Sequence, residues 1–148
     1  MYEYNAKVDR VVDGDTIDVI IDLGFSVWKK MRVRMEGINT PESRTRDKEE
    51  KVRGLAAKAR LVEILEYNDN KCILRVSGVG KYGRALATVL VDSLSPLNGE
   101  DGITLIDVNK QLIEEGHAVE YHGGKRWFLI FLYIYNKTQL DGHKTNWK

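Results

Sequence analysis

The chain has 148 residues, enough for one domain with its own core and no need of covalent staples. Its balance of 43% apolar and 30% charged residues is that of a globular protein in water, and excludes fibrous and low-complexity classes. One cysteine excludes an internal disulfide, and the net charge of +1 excludes a uniformly basic chain.

That near-neutral total hides a split. Residues 29–60 hold 11 Lys/Arg against 5 Asp/Glu, while the rest holds 12 against 17. A basic zone can track phosphates inside a near-neutral protein. Equally, Lys48, Lys51 and Lys58 can simply solvate a helix. Residues 1–5 show no basic stretch leading into an apolar run, so no secretion signal is expected, and a cytoplasmic location follows. No segment approaches the ~20 apolar residues of a membrane span.

Residues 5–12 read as a valine-rich strand ending at the turn signal Asp13-Gly14. Residues 15–23 alternate, with Ile17, Val19 and Ile21 on one face. Asp15 shares that inward parity, so a carboxylate is expected at the mouth of a closed sheet, where it needs a partner. Leu23-Gly24-Phe25 is a hairpin candidate, and 28–38 a third strand, broken by Asn39-Thr40-Pro41. Asp47-Lys48-Glu49-Glu50 reads as a helix start with a capping box. Val52, Leu55, Ala56, Ala59, Val62 and Leu65 follow at helical spacing, giving a helix over 47–67.

Strands are expected at 71–77 and 85–92, joined by the glycine-rich loop 79–83. Cys72 lies in the alternation of the first and reads as a buried small hydrophobe. A loop over 93–102 and a short helix over 108–115, stopped by Gly116, complete the ordered part. Five strands with a helix after the third predict an α+β domain over 1–148: a five-stranded OB-fold barrel with two to three helices packed on it. Residues 127–135 are nine apolar or aromatic residues in a row, too short to cross a bilayer. They read as an element packed on the barrel, or as a homo-oligomer contact. Residues 136–148 read as a frayed polar tail.

Three segments concentrate the chemistry: Asp13-Gly14-Asp15-Thr16, then Arg34 with Asn39-Thr40-Pro41-Glu42, then Lys81-Tyr82-Gly83-Arg84. Carboxylate and amide oxygens suit a hard cation. Arginines suit phosphate oxygens. Such a set can attack a phosphodiester if it converges in space. Each residue also has a plainer role: Arg34 a strand-surface pair with Glu36, Arg84 a solvated hairpin end, Glu42 an acid before the helix. Asp13 either orients its neighbours or is a turn aspartate. His117 reads as packing or surface, and His122 as a cleft-rim residue. No spacing suits zinc.

These three motifs, in this order and with an arginine five residues before Asn39-Thr40-Pro41-Glu42, resemble the staphylococcal nuclease family from about Val8 to Tyr121. The resemblance implies an OB-fold and a Ca²⁺-dependent endonuclease. Its expected substrates are DNA and RNA with little sequence preference, single strands preferred, and its products carry 3′-phosphates. It implies Asp15, Asn39 and the carbonyl of Thr40 as metal ligands, although the family usually has an aspartate at the position of Asn39. It implies Glu42 as the residue that orients or deprotonates the attacking water, and Arg34 and Arg84 as the phosphate-holding pair. Lys81, Tyr82 and Tyr121 match substrate-binding positions. A nuclease-like nucleic-acid binder that no longer cuts is the alternative.

Overall fold

The computed structural model describes residues 2–93 and 104–123. The expected run at 127–135, the tail 136–148 and most of the 93–102 loop lie outside the described residues. Three strands, β1 (Tyr2–Asp13), β2 (Thr16–Asp22) and β3 (Trp28–Met35), form an antiparallel meander. The loop joining β2 and β3 carries three consecutive positive φ values, at Gly24, Phe25 and Ser26, and leaves Phe25 fully exposed at the tip.

After β3 the chain turns at Glu36-Gly37, with Gly37 at φ 77°, and makes the two-residue strand β4 (Ile38–Asn39). The expected third strand over 28–38 is therefore two strands, because that left-handed turn interrupts the ladder. Helix α1 (Lys48–Tyr67) follows. Then come β5 (Lys71–Val79), a single 3₁₀ turn at Lys81–Gly83, β6 (Ala85–Ser93), β7 (Thr104–Asp107), α2 (Val108–Glu114) and β8 (Val119–Glu120).

Strand order is β3-β2-β1-β5-β6, and β3 closes onto β6 in parallel at Val33↔Ala85, Arg34↔Leu86 and Met35↔Ala87. The result is a five-stranded closed barrel of the OB type with two α-helices among the described residues. β7 extends the far end of β6, and β8 pairs with β4. Register shifts at Val8/Arg10 and Val11/Asp13 in β1 and at Val76/Gly78 in β5 mark bulges, which bend strands enough to close the sheet. The interior is filled by Ile17, Val19, Val33, Met35, Leu74 and Val89, each almost inaccessible. Burying a side chain of this size contributes about 1.5–3 kcal/mol. No helix among the described residues is long and apolar enough to cross a membrane.

Asp47 caps α1 as expected, its carboxylate accepting from the N–H groups of Glu49 and Glu50. The reciprocal half of the capping box does not form. The Asp47 N–H donates to Thr45 Oγ1, and the Glu50 carboxylate accepts from the Glu42 N–H instead. The buried face also differs from the expected one. Gly54, Ala57, Leu61, Ile64 and Leu65 face the barrel, while Val52 and Leu55 are exposed. The buried stripe therefore differs from the expected one along the first half of the helix, while Leu65 belongs to both. Two small residues, Gly54 and Ala57, occupy its inner surface near the N-terminus.

Candidate functional site

The small residues on α1 let two loops approach it closely. A Cβ added at Gly54 would stand 2.5 Å from both the carbonyl carbon and the oxygen of Glu42, and 2.7 Å from Ser43 N. A Cβ added at Gly14 would stand 2.8 Å from Ala57 Cβ and 3.0 Å from Thr40 Oγ1. So α1 is the backboard for both the Asp13–Asp15 turn and the Thr40–Ser43 loop. Neither glycine position tolerates a side chain without a shift.

Within this frame Asp15 is buried at 8% exposure, but in the turn ahead of β2 rather than by the expected strand parity, since Thr16 beside it is equally buried. Its Oδ2 accepts from the Thr40 N–H at 3.0 Å, and its Oδ1 accepts from Thr16 Oγ1 at 3.0 Å. The Asp15 carbonyl accepts from the Met35 N–H at 2.8 Å, so the turn is pinned to the end of β3.

Arg34 lies across the same place. Its Nη2 is 3.5 Å from Asp15 Oδ2 and donates to Asn39 Oδ1 at 3.2 Å and to the Ile38 carbonyl at 2.9 Å. Its Nη1 donates to the Met35 carbonyl at 2.9 Å. The pairing of Arg34 with Glu36, the plainer role open to it, does not occur; its carboxylate partner is Asp15. The Arg34 side chain is only 15% exposed, so its bonds are made in a poorly solvated environment, where charge-assisted contacts are strongest.

Asp13 has a definite task. Its Oδ1 accepts from both the N–H and the hydroxyl of Ser43, which clamps the loop one residue past Glu42. The Glu42 side chain is exposed at the rim, while its backbone is held by Asp13 through Ser43, by Glu50 and by the surface of Gly54.

The third motif reaches the site along the barrel seam. Arg84 directly precedes Ala85, whose partner is Val33, and Arg34 faces Leu86. Arg84 is therefore two residues upstream on the adjoining strand, roughly 7 Å along it. Its Nε donates to the Lys81 carbonyl at 3.4 Å, and the guanidinium lies 6.0 Å from the Tyr82 ring centre. Thus Asp15, Arg34, Asn39 and Thr40 are in direct contact, Glu42 adjoins them in the chain, and half-buried Arg84 forms a separate cluster with exposed Lys81 and Tyr82. The Tyr121 N–H donates to the Gly37 carbonyl at 2.9 Å, which places its backbone at the β4–β8 pair next to Asn39. His122 lies beside Gly37 and is exposed.

Two contributors escape a reading of the sequence. Gly54 supplies the close approach to Glu42; its one signal is a glycine inside a helix, where it costs about 1 kcal/mol relative to alanine. Asn109 of α2 is 4% exposed. Its Oδ1 accepts from the Val89 N–H at 3.1 Å, and its Nδ2 donates to the Glu36 carbonyl at 2.8 Å and the Ala87 carbonyl at 3.3 Å. It holds the Glu36–Gly37 turn, and so Asn39, against the barrel. Nothing in its sequence neighbourhood distinguishes it from an ordinary polar residue of a short helix.

The family described as staphylococcal nuclease homologue matches residues 32–127, about two thirds of the sequence. The chain belongs to the staphylococcal nuclease family. This nuclease-family chain is also 30% identical over 120 residues to the micrococcal nuclease of Shigella flexneri, an alignment covering 80% of the chain and 59% of that relative. The chain spans well under two thirds of the length of the curated relative it matches.

The donor set fits a hard divalent cation in kind. It offers one carboxylate on Asp15, one amide oxygen on Asn39 and the oxygens of Thr40, whose buried Oγ1 has no hydrogen-bond partner. It is poor in charge: among the described residues no three acidic, histidine or cysteine groups gather where a metal could bind.

Proposed function

We propose that the chain is a Ca²⁺-dependent endonuclease acting on DNA and RNA, single strands preferred, with low sequence specificity and 3′-phosphate products. The observation that carries this reading is the contact of one guanidinium, Arg34, with both Asp15 and Asn39, beside the clamped Glu42 loop. Asp15, Asn39 and the Thr40 carbonyl would hold the cation, which when bound polarises the phosphoryl oxygens.

Arg34 donates to a non-bridging phosphate oxygen from a poorly solvated position, which favours the doubly charged pentavalent transition state over the singly charged ground state. Arg84 supplies the second fork. Its present bond to the Lys81 carbonyl is long and made near the surface, so exchanging it for a phosphate oxygen costs little. Glu42 accepts a proton from the attacking water, and the Ser43–Asp13 clamp fixes the angle from which it does so. Lys81 and Tyr82 bind the next phosphate and base, and Tyr121 offers a stacking face.

Cleavage of single-stranded DNA with Ca²⁺, with and without chelator, tests the reading. Chelator-sensitive scission leaving 3′-phosphate ends is expected, and its absence over a wide Ca²⁺ range overturns the assignment. A second reading, a nucleic-acid binder that does not cut, is favoured by the single carboxylate of the donor set. Asn39→Asp separates the two. If the native site is active, the variant keeps its rate and needs less Ca²⁺. If the native site is silent, the variant gains a rate that the parent lacks.

A further inference from the structure

The β3–β6 seam closes the barrel with only three residue pairs, 33–35 against 85–87. Upstream of them the two chains part. On its other side β3 is paired with β2 all the way from Arg34 to Trp28. Its β6-facing edge over 28–32 is unpaired among the described residues, and an open groove runs between that edge and the 82–84 loop. Lys29, Lys30, Met31, Arg32, Tyr82, Gly83 and Arg84 line it.

No carboxylate lines this groove. Arg32 is neutralised from outside it: its Nε donates to Asp18 Oδ1 at 2.8 Å and its Nη2 to Asp18 Oδ2 at 3.2 Å. Asp18 also takes Arg10 at 3.3 Å. Lys29 and Lys30 are exposed and in no ion pair among the described residues. As neighbours on a strand their side chains leave opposite faces of the sheet, and both residues line the groove at its open edge. At its far wall stand Tyr82, 94% exposed, and Arg84 beside the Tyr82 ring.

We infer that this groove is a second phosphate track, in which Lys29 and Lys30 hold the backbone of a single nucleic-acid strand running away from the site. The inference rests on the nuclease reading for its direction, since Arg84 belongs to both the groove and the proposed scissile centre. A single strand is the occupant because the groove is lined by cations and one fully presented aromatic ring, on which an unpaired base can stack, and has no acid to repel phosphates. Binding there is electrostatic and indifferent to sequence. Short substrates that end at Arg84 do not use the track; longer ones do.

The test compares the native chain with Lys29→Gln/Lys30→Gln, two charge-neutralising surface changes remote from the core. The probe is a labelled single-stranded oligonucleotide of about 20 nucleotides with non-hydrolysable linkages, followed by fluorescence anisotropy across a salt series. Two phosphate contacts predict that the slope of log Kd against log salt shrinks by about 1.4 in the variant. A dinucleotide should bind both proteins equally. An unchanged slope and Kd for the long strand, or an equal loss for the dinucleotide, overturns the track. So does failure of the native chain to bind the oligonucleotide at all. The readout is binding, so the track stands if the native chain proves not to cut, provided the slope changes as stated. Cleavage without any effect of the lysines sinks the track and leaves the nuclease reading intact.

Discussion

At the scale of single residues, the site is set by what is missing from side chains as much as by what is present. Gly54→Ala should gain about 1 kcal/mol of helix propensity, yet its methyl would overlap the Glu42 backbone at 2.5 Å. The loop must move, because helix α1 is anchored by Leu61, Ile64 and Leu65. We therefore expect turnover to fall at least tenfold while circular dichroism stays native. A variant with native turnover would show that this contact does not aim Glu42. Glu42→Gln and Arg84→Ala should each lower kcat by powers of ten with thermal stability held, since both side chains lie outside the core. If either keeps most of its rate, its role is misassigned. The alternation of Ile17, Val19 and Ile21 along β2 was legible in the sequence, but Asp15 lies in the turn before that strand, and its burial, shared with its neighbour Thr16, comes from the Thr40 loop packed over it rather than from strand parity. The clamp of Ser43 by Asp13 was not legible, because it joins residues 30 apart whose meeting depends on how the loop lies against α1.

At the scale of elements, the two helices are the fixtures that hold the loops. Asn109→Ala would leave the Val89 N–H and the Glu36 carbonyl without that partner, at a cost of about 1–3 kcal/mol. Chemical denaturation should show the loss; a fully stable variant would mean that water replaces the amide. Helix α1 is tied to α2 by Arg60, which donates to Glu115 at 2.7–3.1 Å. The Arg60 hydrogen bonds are the main reason that the Glu115 carboxyl is held below its ordinary 4.5, against the opposing effect of burial. A lowered carboxylate stabilises the fold above its unfolded pKa, and that contribution fades as pH falls through the folded value. The pair is about 30% exposed on each side, so its worth is no more than about 1 kcal/mol. The stability difference between the native chain and Glu115→Gln should hold constant from pH 8 to pH 5 and shrink below about 4.5. A difference that grows on acidification would contradict the sign. The existence of α1 was plain from its periodicity, but its buried face was not. Apolar spacing pointed to Val52 and Leu55, whereas the close approach of two loops selected Gly54 and Ala57. Packing against backbone rewards small residues, and a hydrophobicity pattern does not register that.

At the scale of the molecule, charge and closure follow different parts of the chain. The basic excess in 29–60 spans β3, the site loop and α1, the same elements that carry Arg34, Glu42 and the groove lysines. The barrel itself is held by alternating apolar residues, which is why its five strands could be read from the sequence. The two-residue strands β4 and β8 have no period to read; they exist because the Gly37 turn and α2 bring them together. Cooperativity of the closed barrel can be measured through its lone thiol. Cys72 is 6% exposed on β5, opposite Ala6 of β1, and burial pushes its pKa up to about 12. At pH 7 roughly 10⁻⁵ of it is thiolate, so reaction with an aromatic disulfide must wait for exposure. β1 and β5 are paired over six residues, Tyr2–Lys7 against Lys71–Val76, with Leu74 fully buried beneath them. Cys72 lies near the start of β5, so its labelling reports whether this pairing opens alone or only with the whole barrel. The free energy obtained from slowed labelling should equal the unfolding free energy obtained with urea. A labelling protection several kcal/mol smaller would mean that β1 detaches from β5 while the rest stays folded, and the barrel would then not be one cooperative unit.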